Sequence, residues 1–228
     1  MRIALGEWRP DSYGQFFGVP VQAVTPLAPW PASYNRHAGR QFLSRHFATR
    51  IDPMQALGHE GAPEILVRKA TPFDVAAIRE IYRYYVLHAL ATFEEIPPDN
   101  RKMLAQMRQV KTAGLPFLTA VVEGKVLGYA YASPYRSRPA YRYTVEDSVY
   151  VMEGCHGRGI GRALLSNLIT CCEAGPWRQM VAIIGDSQNV KSIALHELFG
   201  FRRVGILEAV GFKLGRYVDT VIMQRNLG

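Results

Sequence analysis

Asp147-Ser-Val-Tyr-Val-Met152, Glu153-Gly-Cys-His156, Gly157-Arg-Gly-Ile-Gly161 and Arg162-Ala-Leu-Leu165 run without a break from an apolar strand through a glycine-rich turn into a helix. Glycines at 157, 159 and 161 remove side chains where a ligand must approach the main chain. The unpaired amides of the first helical turn then face that ligand at the positive end of the helix dipole. Arg158 and Arg162 add full positive charge at the same place. The pattern predicts a pyrophosphate cradle, and Glu146, one residue upstream, puts a proton acceptor on the same strand.

The common nucleotide motifs do not fit this turn. A dinucleotide fingerprint fails where its last glycine should stand, because Arg162 is there, and no acidic residue lies near the ribose-binding distance. Gly154 to Gly159 has the spacing that opens a Walker loop, but Ile160 and Gly161 replace the lysine and hydroxyl residue that must reach phosphate and magnesium. His156-Gly157-Arg158-Gly159-Ile160-Gly161 instead resembles motif A of the GNAT N-acetyltransferases. That pattern is Gln or Arg, two residues, glycine, one residue, glycine or alanine. His156 departs from it at the first position, a change that affects a side-chain contact but not contacts through main-chain amides.

Length and composition agree with such a domain. At 228 residues, with 48% apolar and 20% charged residues, the chain has room for one well-buried domain and an extension. No apolar run reaches membrane-spanning length. The net charge of +8 is spread over separate arginines and suits a phosphate-bearing cofactor and an anionic small substrate. Nucleic acid is a weaker explanation, since no helix-turn-helix or aromatic RNA-binding signature accompanies the charge. Cys155, Cys171 and Cys172 form neither a disulfide framework nor a zinc pattern, and read as free thiols of a reducing, cytoplasmic compartment.

Seven of the fourteen prolines fall in residues 1 to 63, which show no sustained helical or alternating period. They read as a loosely ordered extension, or as a segment bypassed by a start at Met54. From Glu64 to Gly228 the punctuation is regular. Ile65 to Arg68 predicts a strand, and Thr71-Pro72-Phe73-Asp74 a capping box before a helix with Ile78, Ile81, Tyr82 and Tyr85 on its apolar face. Asp99 to Lys111 predicts a second helix. Phe117 to Glu123 and Val126 to Ser133 flank Gly124-Lys125 as a hairpin, and Tyr143 to Met152 continues the sheet. The cradle helix follows, then a strand at Met180 to Ile184, a helix at Asn189 to Phe199 ending at Gly200, and two closing strands. This order matches the GNAT acyl-CoA N-acyltransferase fold, an α/β (α+β) domain with a mixed central sheet flanked by helices.

Acetyl transfer to an amine requires a base for the ammonium proton, stabilisation of an oxyanion and a proton for the departing thiolate. Glu146 is the candidate base, acting directly or through water. His196, four residues before the Gly200-Phe201 pair, stands where acetyltransferases of this class commonly carry a tyrosine near the cofactor sulfur. It titrates near neutrality and suits an acid toward thiolate or a base toward the amine. The amides of Val149 and Val151 are expected to meet the thioester and pantetheine if the strand splays from its neighbour beyond Met180. Asn189 is a cofactor-arm contact or a simple helix cap. By residue type alone, Glu146 and Asp147 each read equally as surface strand carboxylates.

Three further segments narrow the likeness. Tyr135-Arg-Ser-Arg-Pro-Ala-Tyr141 with the strand after it, Thr92-Phe93-Glu94 upstream, and Gly211-Phe212-Lys213-Leu214-Gly215-Arg216-Tyr217-Val218-Asp219 downstream resemble the phosphinothricin and methionine sulfoximine N-acetyltransferases over residues 64 to 228. The resemblance implies transfer of acetyl from acetyl-CoA, without a metal, to the α-amino group of a small anionic amino acid. It also implies a detoxifying activity and a homodimer with substrate loops near its interface. Carried onto this chain, it implies catalytic roles for Glu146 and His196. Cofactor contacts fall on Val149, Tyr150 and Val151, on His156, Gly157, Arg158, Gly159, Ile160, Gly161 and Arg162, and on Asn189 and Ser192. Substrate contacts fall on Phe93, Glu94, Arg136, Arg138 and Tyr141. An arginine fork there can hold a carboxylate or phosphinate by two parallel hydrogen bonds. Competing readings are a non-catalytic acyl-CoA sensor and a protein N-acetyltransferase.

Overall fold

The computed structural model describes residues 63–228, so the expected loose extension lies outside the described residues but for Pro63. The described chain runs β1 (Leu66–Lys69), α1 (Val75–His88), α2 (Asn100–Thr112), β2 (Phe117–Val122), β3 (Lys125–Pro134), β4 (Thr144–Val151), α3 (Ile160–Glu173), β5 (Gln179–Gly185), α4 (Val190–Leu198), β6 (Arg202–Lys213) and β7 (Arg216–Asn226). This is the predicted order.

Short polar signals place the boundaries. Asp74 accepts hydrogen bonds from the Thr71 amide and from both terminal nitrogens of Arg68, each at 2.7 Å, so one carboxylate caps the entry to α1 and ties it to β1. Arg68 also holds that carboxyl below the usual carboxylate range. Asp99 caps α2 by accepting from the Lys102 amide at 2.7 Å. The β2–β3 turn is Glu123-Gly124, not the expected Gly124-Lys125. Both turn residues have positive φ, 49° and 76°, and Lys125 already pairs with Val122 as the first residue of β3.

The sheet has the order β1-β2-β3-β4-β5-β7-β6. α1 and α2 cover one face, where Tyr82 and Tyr85 pack edge-on against Tyr150, and Gln106 donates to the Tyr131 hydroxyl. α3 and α4 cover the other, where a side chain at Gly128 would collide with Ile160 and Leu164. Ile78, Ile81, Met103 and Met107 fill the first interface, and Leu164, Leu165 and Leu168 the second.

One irregularity of this sheet makes the site. β4 and β5 are parallel, and their pairing runs from Thr144↔Gln179 to Asp147↔Ala182 and stops there, although β4 continues to Val151 and β5 to Gly185. The two strands therefore part beyond Asp147. The expected splay begins two positions after Met180.

Candidate active site

The parted strands open into a cleft of about 1120 Å³ that both faces of the sheet share. Its walls come from β4, β5, the cradle, the start of α4 and the segment after α1. At the cradle, Gly157 and Gly159 adopt positive φ of 77° and 83°, and Gly159 is the left-handed N-cap of α3. The turn can then present main-chain amides to the cleft without side chains in the way, and a Cβ at Gly157 would meet nothing within 4 Å. Gly161 and Arg162 line the same wall.

Two cradle residues face elsewhere. Ile160 is 1% exposed and belongs to the core beneath the sheet, so its side chain is a packing element. Arg158 lies near the Cys155 sulfur at 3.7 Å and lines a small separate pocket with Ile65 and Val122. Of the two arginines expected at the cradle, Arg162 is the one on the cleft wall.

Above the cradle, the Tyr85 hydroxyl donates to the Val151 carbonyl at 2.6 Å and lies 3.4 Å from the Val151 amide and 2.9 Å from His156 Nε2. Burial pushes its pKa up to about 12, so it stays a neutral phenol. The Met152 amide bonds Leu127 of the neighbouring strand, and alternation along β4 turns the amides of Val149 and Val151 toward the opening.

Alternation also separates the two acidic residues. Glu146 shares its face with Ser148 and Tyr150, and Asp147 faces α4. Burial, with the Asp147 charge adding to it, pushes the Glu146 carboxyl up to about 7, while Arg136 pulls the other way. A carboxyl poised there exchanges protons near neutrality.

Asp147 is not the surface carboxylate its type predicts. It is 7% exposed, its Oδ2 lies 3.0 Å from His196 Nε2, and its Oδ1 has no partner. His196 Nδ1–H donates to the Ser192 carbonyl at 2.7 Å. Both ring nitrogens are thus engaged. Burial opposes the imidazolium, but the Asp147 charge, its hydrogen bond and the Ser192 carbonyl outweigh that and raise the His196 pKa.

The cleft wall brings together Phe93, Glu94, Glu146, Val149, Tyr150, Val151, His156, Asn189, Ser192 and His196, as well as the cradle. Asn189 serves also as the α4 cap, accepting from the Ser192 amide at 3.3 Å. Arg136, Arg138 and Tyr141 are not on this wall. They are exposed on the β3–β4 loop, where Arg136 lies over the Tyr135 ring at 5.1 Å and Tyr141 packs edge-on against it. Arg136 alone among them acts electrostatically on Glu146. Several cleft residues escaped sequence reasoning, among them Tyr85, Asp147 and Lys191. Tyr85 was placed on an apolar face, Asp147 at the surface, and Lys191 on the wall carries no motif that marks it.

The Acetyltransferase (GNAT) family model matches residues 78–201. A phosphinothricin N-acetyltransferase of Alcaligenes faecalis is 52% identical over 161 residues, covering 71% of this chain and 82% of the relative. An L-methionine sulfoximine/L-methionine sulfone acetyltransferase of Salmonella typhimurium is 41% identical, covering 71% and 94%. Among solved structures, a phosphinothricin acetyltransferase from Sinorhizobium meliloti in complex with AcCoA superimposes with a TM-score of 0.70 at 46% identity, covering 72% of this chain and 89% of that one.

Proposed function

The chain belongs to the GNAT acetyltransferase family, and on that premise we propose that it moves acetyl from acetyl-CoA to the α-amino group of a small anionic amino acid of the phosphinothricin, methionine sulfoximine or methionine sulfone type. It is an acetyl-CoA-dependent N-acetyltransferase. The observation that carries the acceptor chemistry is Glu146, a half-buried carboxyl held at about 7 in the wall of a cleft opened by the parting of β4 and β5.

Acetyl-CoA supplies the activated thioester. The open amides of the cradle and Arg162 suit its diphosphate, and the Val149 amide suits its thioester carbonyl as an oxyanion donor. Glu146 takes the proton from the acceptor's ammonium, so that the neutral amine attacks. His196 is poorly placed for that base role, since Asp147 and Ser192 occupy both its nitrogens. The pair instead keeps an imidazolium beside the thioester end of the cleft, where a positive charge favours the departing thiolate. Arg136 and Arg138, on a loop that starts close to the Ser133↔Glu146 pair, recognise the acceptor's anionic groups.

We further propose a homodimer in a reducing, cytoplasmic compartment. β6 is a long edge strand that exposes Val204, Ile206, Leu207, Val210 and Phe212, an apolar margin that a second copy can cover. Among the described residues no helix is long and apolar enough to cross a membrane, and all three cysteines are free. The test of function is release of free CoA from acetyl-CoA with a panel of small anionic amino acids, peptides and lysine. Release with the amino acids supports the proposal, release with peptides alone selects protein acetylation, and CoA binding without release to any amine selects a sensor.

A further inference from the structure

Ala91, Thr92, Phe93 and Glu94 reach the cleft from a segment between α1 and α2 that has no helix or strand of its own. Something outside the segment must hold it. Lys213, the last residue of β6, is 2% exposed, and its ammonium donates to three main-chain carbonyls: Tyr85 at 3.1 Å, Ala89 at 2.8 Å and Thr92 at 2.7 Å. All three of its N–H groups are used. The Tyr85 carbonyl in the last turn of α1 also accepts from the Ala89 amide at 3.2 Å, the Ala89 and Thr92 carbonyls lie just beyond the helix, and a cation there meets the negative end of the helix dipole.

Two close approaches complete the seat. A Cβ on Gly211 would come within 2.5 Å of the Phe93 ring, and one on Gly185 within 2.2 Å of the Leu90 carbonyl oxygen. The segment therefore lies flush on the main chain of β6 and β5, with the Lys213 ammonium pinning its first residues to the end of α1.

We propose that Lys213 is the positioning residue for the acceptor-binding segment 89–95, so that the β6–β7 hairpin, with β6 at the edge of the sheet, sets which amine fits beside Glu146. This rests on the acceptor reading above. Three carbonyls drawn from residues 85, 89 and 92 converge on one atom, and no single apolar contact would fix the segment's path in that way. A displacement of the acceptor by about 1 Å is enough to cost roughly a hundredfold in rate.

The test is Lys213→Met, which keeps an apolar stem and removes the donors. Its amine KM should rise by about tenfold or more, its CoA affinity by calorimetry should stay within about twofold of wild type, and amide exchange should quicken in residues 89–95. Lys213→Arg, which keeps charge and donors, should recover part of the KM. Gly211→Ala displaces Phe93 without touching Lys213 and should raise the same KM. Unchanged exchange in 89–95, or equal loss of CoA affinity, amine KM and melting temperature in the Met and Ala variants, would overturn the proposal. If the wild type acetylates no amine, the acceptor reading fails, and exchange still decides the clamp: faster exchange confined to 89–95 supports it, and unchanged exchange overturns it.

Discussion

Glu146 and Asp147 are neighbours on β4, yet their carboxyls face opposite sides of the sheet, one toward α1 and α2 and the other onto His196 at 3.0 Å. The cleft cuts through the sheet just where they sit, because β4 and β5 lose their pairing at Asp147. Adjacent residues of like charge thus take different tasks. Burial pushes the Glu146 carboxyl up to about 7, and Asp147 pairs with His196 and raises its pKa.

The Glu146 carboxyl at about 7 predicts a pH profile. With one essential base, kcat/KM should rise about tenfold per pH unit below that value and level off above it. Glu146→Gln should flatten the profile and lower kcat by about 10²–10⁴ while CoA affinity, read by calorimetry, stays unchanged. Equal loss of rate and CoA affinity would mark Glu146 as structural.

The same carboxyl opposes folding when ionised. Its folded pKa is raised, so the stability it contributes is fully present below about 4.5 and lost as pH rises through about 7. Glu146→Gln should therefore melt higher than wild type at pH 8, by an amount on the order of 1–2 kcal/mol after allowance for partial solvent screening, with no gap near pH 4. A variant less stable than wild type at pH 8 would contradict this.

The Asp147–His196 pair predicts a loss of stability in the same direction, as pH rises, but from a favourable buried pair. His196 has a raised pKa, so its contribution is present below about 6.5 and lost as pH climbs through the raised value. Asp147→Asn should cost about 3–5 kcal/mol at pH 6, since it leaves a buried imidazole without its counter-charge, and clearly less at pH 9. Urea melts at the two pH values check it; equal losses would show that the pair is not ionic.

Most of the fold was legible because it is written locally. Thr71 to Asp74, Asp99 and the 157–161 glycines mark element starts by their own backbone needs, and the alternation of β4 is visible in its side chains. What escaped was long-range. Nothing in the sequence says that Asp147 and His196 meet across 49 positions, or that Lys213 reaches the carbonyls of residues 85, 89 and 92. The turn at Glu123-Gly124 slipped by one residue because Glu123 takes a left-handed φ that residue type does not advertise. Ile160 and Arg158 lie in the motif, but a helix start points alternate side chains in different directions, and theirs go to the core and to the outer wall.

Arg136 lowers the Glu146 pKa from an exposed loop, which makes it separable from the cleft wall. Arg136→Ala should move the inflection of the pH–rate profile upward and raise the KM of an anionic acceptor by about tenfold or more, leaving a neutral amine less affected. An unmoved inflection with both KM values unchanged would assign Arg136 to solvated loop charge.

The most direct measurement is free CoA formed from acetyl-CoA and purified protein with phosphinothricin, methionine sulfoximine and methionine sulfone as acceptors. The account predicts stoichiometric release of CoA with acetyl on the α-amino nitrogen of at least one of them, at a rate that falls with Glu146→Gln. Tight CoA binding with no release to any of the three, while a peptide or no amine at all is acetylated, contradicts it.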